Sequence, residues 1–235
     1  MAVDVPGPAV ETEGLVVTTG GARVLDGVDL RVPVGSIHGL VGGGGSGAST
    51  LLQVLAGHVP PDSGSARVLG HDVLTEAAAV RARVGRTGRS AGFDEELSGG
   101  ANLRQLARLL GYSRAAALQR TDQLLAGFGL TSAAGRPLAT YTAAMRRRLD
   151  LAASIVVRPD LVLLDEPTAD LDPHCLVVVA DVLRALVRAG TTVLLAGRDL
   201  DEAGRLADRL TVLVSGRVVA EGTAREVRAW AALPR

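Results

Sequence analysis

An apolar run at residues 36–41 empties directly into Gly42, Gly43, Gly44, Gly45, Ser46 and Gly47, and residues 49–57 then read as a helix. Few arrangements constrain a chain more tightly. A strand that turns into a helix through glycine aims unpaired backbone N–H groups and a helix N-terminus at one point, where an anion is stabilised. A strand this short and apolar is also buried on both faces, so other strands must flank it and helices must cover it.

The remaining pattern supplies those neighbours. Residues 15–17 and 28–32 read as strands of an early antiparallel hairpin around a turn at 19–22, and after a turn at 60–64 a further strand covers 66–69. Between about 95 and 139 the character changes to periodic Leu and Ala with Arg and Gln between them, which predicts helices at 102–110 and 115–128. The alternation then resumes: helix 145–157, strand 161–164, helix 176–189, strand 191–196, helix 200–206 and strands 210–214 and 217–220. This series predicts an α/β fold with a largely parallel sheet, an antiparallel β subdomain and a helical insert. Ligands are expected beyond the carboxyl ends of the parallel strands.

Composition narrows the function classes. With 235 residues, 47% of them hydrophobic, the chain has ample material for a core. Its 25 basic residues balance 25 acidic ones, and only 2% of residues are aromatic, so neither an electrostatic grip on nucleic acid nor base stacking is expected. Every basic residue is Arg; the chain contains no Lys. The lone Cys175 forms no internal disulfide, which fits a reducing compartment, and the acids and prolines at the start are unlike a secretory signal. The longest apolar runs fall far short of the roughly 20 residues that span a bilayer. Work at a membrane would therefore need another chain.

Residues 162–173, VLLDEPTADLDP, carry the most specific signal. Apolar residues end in paired acids, as they must if a buried strand is to hold Asp165 near a magnesium ion and leave Glu166 able to polarise a water. An ordinary core strand ending in solvated acids would explain the pair alone, but not the whole string. It resembles the Walker B and D-loop of an ATP-binding-cassette (ABC) ATPase. The MRRRLDLAASIVVRP segment before it and the VSGRVVAEGT hairpin after it resemble the drug-exporting branch typified by daunorubicin-resistance ATPases.

That resemblance implies one ABC-type nucleotide-binding domain over 1–235 with a helical subdomain at about 95–145. It also implies ATP and magnesium as cofactors, a membrane permease and a homo- or heterodimer of cassettes as partners, and a place on the cytoplasmic face of the cell membrane. No nucleic acid is expected, and membrane contact only through the permease. The engine's motifs, however, are altered. A phosphate loop reads Gly-x4-Gly-Lys-Ser/Thr, whose Lys reaches the β and γ phosphates. Here residues 42–50 keep the glycines, Ser49 for magnesium and Thr50, but Ala48 replaces the Lys. The adenine-stacking aromatic corresponds to Thr19, the magnesium-contacting Gln to Arg89, and the histidine that holds the γ-phosphate to Arg198. The signature segment, which serves the opposite cassette of a dimer, reads Tyr141, Thr142, Ala143, Ala144, Met145; Thr142 keeps a hydroxyl while methyls replace both glycines. A literal LSGG at 97–100 aligns only with a segment that introduces a helix.

Three functional expectations follow. The first is a structural or regulatory cassette of an exporter, with ATP binding weakened and hydrolysis impaired although Asp165 and Glu166 remain. The second is an operating efflux ATPase in which Arg89 or Arg198 replaces the lost ammonium. The third is a cassette without a membrane partner. For the two arginines the alternative is that each lies in solvent or pairs with Asp94, Glu95 or Asp199.

Overall fold

The computed structural model describes residues 7–87, 92–169 and 171–232. β1 (Val10–Thr19) and β2 (Ala22–Val32) form the expected hairpin. Its two-residue turn, Gly20 and Gly21, has φ of 59° and 81°, the doubly left-handed geometry that glycine adopts without a Cβ penalty. β3 (Ile37–Val41) leads into α1 (Ala48–Leu55), followed by β4 (Ser63–Val68), β5 (His71–Asp72), α2 (Ala77–Arg83) and β6 (Val84–Arg86). The helical stretch contains α3 (Gly99–Leu109), α4 (Arg114–Gly127) and α5 (Ala143–Ser154). β7 (Leu161–Asp165), α6 (Pro173–Arg188), β8 (Thr192–Gly197), α7 (Leu200–Leu206), β9 (Arg209–Val214), β10 (Arg217–Gly222) and α8 (Ala224–Ala231) complete the order.

Two sheets result. The antiparallel one runs β2-β1-β4-β5, and the other β10-β9-β3-β8-β7-β6 is parallel except for β10. The parallel strands are apolar on both sides because each side faces its own core. On β7, Val162 and Leu164 pack with Leu103, Phe128, Leu149 and Leu183 of the helical layer. Leu161 and Leu163 pack with Leu51, Leu52 and Leu55 of α1 and with Leu15, Leu25 and Val28 of the hairpin. Alternation of this kind is legible in the backbone though not in a run of uniformly apolar letters.

Helix starts follow local chemistry. Asp172 accepts from the Cys175 N–H at 2.8 Å with Pro173 in the first turn of α6, and Thr142 accepts from the Met145 N–H at 3.2 Å at the start of α5. α8 opens with a reciprocal cap between Thr223 and Glu226, a Thr-x-x-Glu signature in the sequence itself. α2, β5 and α8 go beyond the sequence expectation, and α1 begins and ends slightly earlier than expected. Among the described residues no helix is long and apolar enough to cross a membrane.

Candidate functional site

Three strand ends converge. β3, β8 and β7 lie side by side and end at Val41, Gly197 and Asp165, opening a cleft of about 200 Å³. Gly42, Gly43, Gly44, Gly45, Ser46, Gly47, Ala48, Ser49 and Thr50 line it together with Val24, Asp165, Glu166, Ala196, Gly197 and Arg198. The structure thus brings together the glycine segment, the paired acids and one of the two arginines singled out from the sequence. Val24, Ala196 and Gly197 had no signal in the sequence, since only folding carries them to the loop.

The glycines of the loop do different jobs. The Gly42 N–H donates to the Gly197 carbonyl at 3.1 Å, and a Cβ at Gly42 would overlap Ser46. Gly47 has a φ of +96°, and a Cβ there would stand 2.5 Å from the Val24 carbonyl oxygen. Gly45 has φ +78°, whereas Gly43 and Gly44 face open space. Gly47 holds the N-cap position of α1 and offers no side-chain acceptor to its first turn. Those N–H groups remain suited to an anion.

The hydroxyl of Ser49 donates to Asp165 Oδ1 at 3.1 Å, and the Asp165 N–H is held by Thr87 Oγ1 at 2.9 Å. One hydroxyl and one carboxylate fit a magnesium ion that takes its other ligands from phosphate and water. The same donor set with the loop amides fits a phosphate chain. At position 48, however, only a methyl group is present, 7% exposed, so the loop brings no cation of its own.

Glu166 adopts φ +46°, a left-handed conformation costly for any residue that carries a Cβ, held by its N–H to the Ala196 carbonyl at 2.9 Å. Its Oε1 accepts from Arg198 Nε at 2.6 Å. Arg198 is thus solvent-exposed, as one alternative had it, but its carboxylate partner is Glu166 and none of Asp94, Glu95 and Asp199. Asp199 instead caps α7 by accepting from the Asp201 and Glu202 N–H groups, and Glu95 takes a two-pronged bond from Arg146 at 2.5 and 2.6 Å. The Arg146 guanidinium holds the Glu95 carboxyl below its ordinary range. Arg89 lies outside the described residues.

Thr142 is exposed at the start of α5 and is not part of the cleft; Thr19, also exposed, ends β1 opposite Ala22. The LSGG letters at 97–100 introduce a helix: Ser98 caps α3 by accepting from the Ala101 N–H at 3.1 Å. Gly99 lies against the ring of Tyr141, whose hydroxyl donates to the Ala133 carbonyl at 2.8 Å.

Residues 25–169 match the ABC transporter family. Over 223 residues the chain is 53% identical to the daunorubicin/doxorubicin resistance ATP-binding protein DrrA of Streptomyces peucetius, covering 95% of this chain and 68% of that protein. It is 39% identical to the doxorubicin resistance ATP-binding protein DrrA of Mycobacterium tuberculosis, over 94% of this chain and 67% of the relative. Among solved structures, cbiO1 of Clostridium perfringens, part of the ABC transporter complex cbiONQ, shares the fold with a TM-score of 0.84 at 24% identity, over 95% of this chain and 91% of that one. The family match, the sequence relatives and a strand-loop-helix cleft facing paired acids together make this chain an ATP-binding cassette of the ABC transporter family.

Proposed function

We propose that the chain serves as the ATP-binding subunit of a drug-type exporter, docked on a membrane permease at the cytoplasmic face and paired with a second cassette, and that it holds ATP and magnesium weakly with hydrolysis slow or lost. One domain over 1–235 with a helical insert at about 95–145 is part of that reading, supported by the apolar cluster that joins Leu103, Leu124 and Phe128 to Val162 and Leu195 of the sheet. The exporter assignment rests on the resistance proteins it resembles.

The weakened site rests on one juxtaposition. Ser49 and Asp165 keep the magnesium pairing at 3.1 Å, while beside them Ala48 offers a methyl and Glu166 is engaged by Arg198. When bound, Mg·ATP supplies the anhydride bond and the metal charge that neutralises it. The chain's residues then divide the work: loop amides orient phosphates, Ser49 and Asp165 hold the metal, and Glu166 is the group that would draw a proton from water. A charge-assisted hydrogen bond is worth about 1.5–3 kcal/mol, so the missing ammonium alone weakens binding by about one to two decades. Thr142, Ala143 and Ala144 would face the phosphates of the opposite cassette, where two methyls stand at positions that glycine leaves open in the family pattern.

Calorimetry with Mg·ATP and a phosphate-release assay test this reading. The parent should bind more weakly than low micromolar, and Ala48→Lys should tighten binding at least about tenfold without restoring turnover, because Ala143, Ala144 and Arg198 remain. Tight binding and steady phosphate release by the parent would overturn it. They would favour the operating-ATPase alternative, which has one specific observation in its support: Arg198 lines the loop cleft. In that case phosphate release should collapse in Arg198→Ala.

A further inference from the structure

Arg198 is the one cationic side chain among the described residues lining the loop cleft, which also carries two carboxylates, Asp165 and Glu166. It stands on the ridge between that cleft and a smaller one of about 110 Å³, bounded by Glu166, Thr168, Asp199, Glu202 and Leu206. The cation that lines the loop cleft is thus committed to the residue expected to act as base. Its side chain is 69% exposed and that of Glu166 37%, so the pair is well solvated. An ion pair in that setting is weak. A phosphate chain carries more charge than one carboxylate and offers several oxygens to the planar guanidinium, so it competes effectively for the same donors.

We infer that the Arg198–Glu166 pair is a latch operated by nucleotide: Arg198 exchanges the Glu166 carboxylate for a phosphate oxygen, and only then is Glu166 free to accept a proton. This deepens the proposed function and rests on nucleotide binding in the loop cleft. It joins two observations that otherwise stand apart, the missing ammonium at position 48 and the engaged acid at 166. One arginine supplies a cation to the site and restrains the base in its absence. Because linkage is reciprocal, removing the Glu166 carboxylate while Arg198 remains must strengthen nucleotide binding by the factor that the pair had cost it.

The test is a double-mutant cycle in binding. A fluorescent ATP analogue is titrated in EDTA against the parent, Glu166→Gln, Arg198→Ala and the double variant, with thermal melts confirming that all four fold. Removing a carboxylate tightens anion binding by simple charge in any background, so the informative quantity is the difference between backgrounds. The latch requires Glu166→Gln to tighten binding more when Arg198 is present than in Arg198→Ala, by about two- to fivefold, the factor that an exposed ion pair carries. Equal tightening in both backgrounds reduces the effect to charge removal and overturns the latch while leaving nucleotide binding intact. Weaker binding by Glu166→Gln with Arg198 present would mean that Arg198 holds carboxylate and phosphate together, and also overturns it. If none of the four proteins binds the analogue in EDTA, the latch falls; if none binds it with magnesium restored either, the nucleotide reading falls with it.

Discussion

Two glycine-bearing segments of this chain precede helices and look alike as letters, but they hold glycine for different reasons. At 42–47 the requirement comes from backbone: Gly47 needs a left-handed φ of +96° and lies against the Val24 carbonyl. At Gly99 it comes from a side chain: the glycine makes room for Tyr141, and the helix that it opens is capped by Ser98. Only the first segment opens at the carboxyl ends of parallel strands, beside acids. Where a glycine does mark crowding, as at Gly47 and Gly99, what does the crowding differs between the two segments.

The sharpest way to break that distinction is Gly47→Ala. A strained φ and a Cβ driven against backbone that cannot yield should together cost about 4 kcal/mol, read by urea unfolding, and nucleotide binding should disappear. A stable variant that still binds nucleotide would remove the steric account of the loop.

The two regions also lean on different titratable groups. His38 on β3, the strand that delivers the first segment, is 1% exposed and bonded through Nε2 to Thr211 Oγ1 at 2.8 Å. Burial, followed by the charge of Arg209, pushes its pKa down to about 4. The folded protein therefore keeps His38 neutral while the unfolded chain takes up a proton near the ordinary value. This contribution to stability is complete above about pH 7, is lost as pH falls from about 6.5 to about 4, and amounts to about 3 kcal/mol. Urea unfolding of the parent and His38→Gln across that window should show the parent losing this increment and the variant lacking it. Parallel curves would show that the imidazole is not held neutral. Tyr141, under the second segment, has its phenol pushed up by burial and stays neutral throughout that window.

A smaller effect belongs to Gly99→Ala. Tyr141 must shift and strain its bond to Ala133, at a cost of about 2 kcal/mol, with nucleotide affinity of the folded protein unchanged. Adding Tyr141→Leu should recover part of that loss, and a nucleotide defect in Gly99→Ala would instead give the 97–100 segment a role at the ligand. The smallest effect is Gly43→Ala, within about 0.5 kcal/mol by urea unfolding, since a Cβ there meets only open space. A large loss would mean that all the glycines of the loop act alike.

Much of the site was legible because its chemistry is local in sequence. A strand running into glycine, and acids closing an apolar strand, are contiguous patterns whose meaning does not depend on distant residues. The resemblance also gave the correct place for 97–100, at a helix start. Less legible were elements too short or too little periodic to stand out, such as α2 and β5. α8 is different: its Thr223 and Glu226 cap is written in the letters as a Thr-x-x-Glu pattern.

From the sequence alone came the α/β class, the glycine segment at a strand end, the absence of Lys and the retention of Asp165 and Glu166. These follow from residue type and from periodicities that the backbone imposes within each element. Tertiary structure alone decided which separated residues meet. It set Ser49 against Asp165 across 116 positions, Val24 against Gly47, Tyr141 against Gly99, and Arg198 onto Glu166 rather than onto Asp94, Glu95 or Asp199. The partner of an arginine is chosen by which carboxylate lies within reach when strands align, and strand order is a property of the packed core. No run of letters around Arg198 states that β7 lies beside β8, yet that adjacency is what brings the arginine to Glu166.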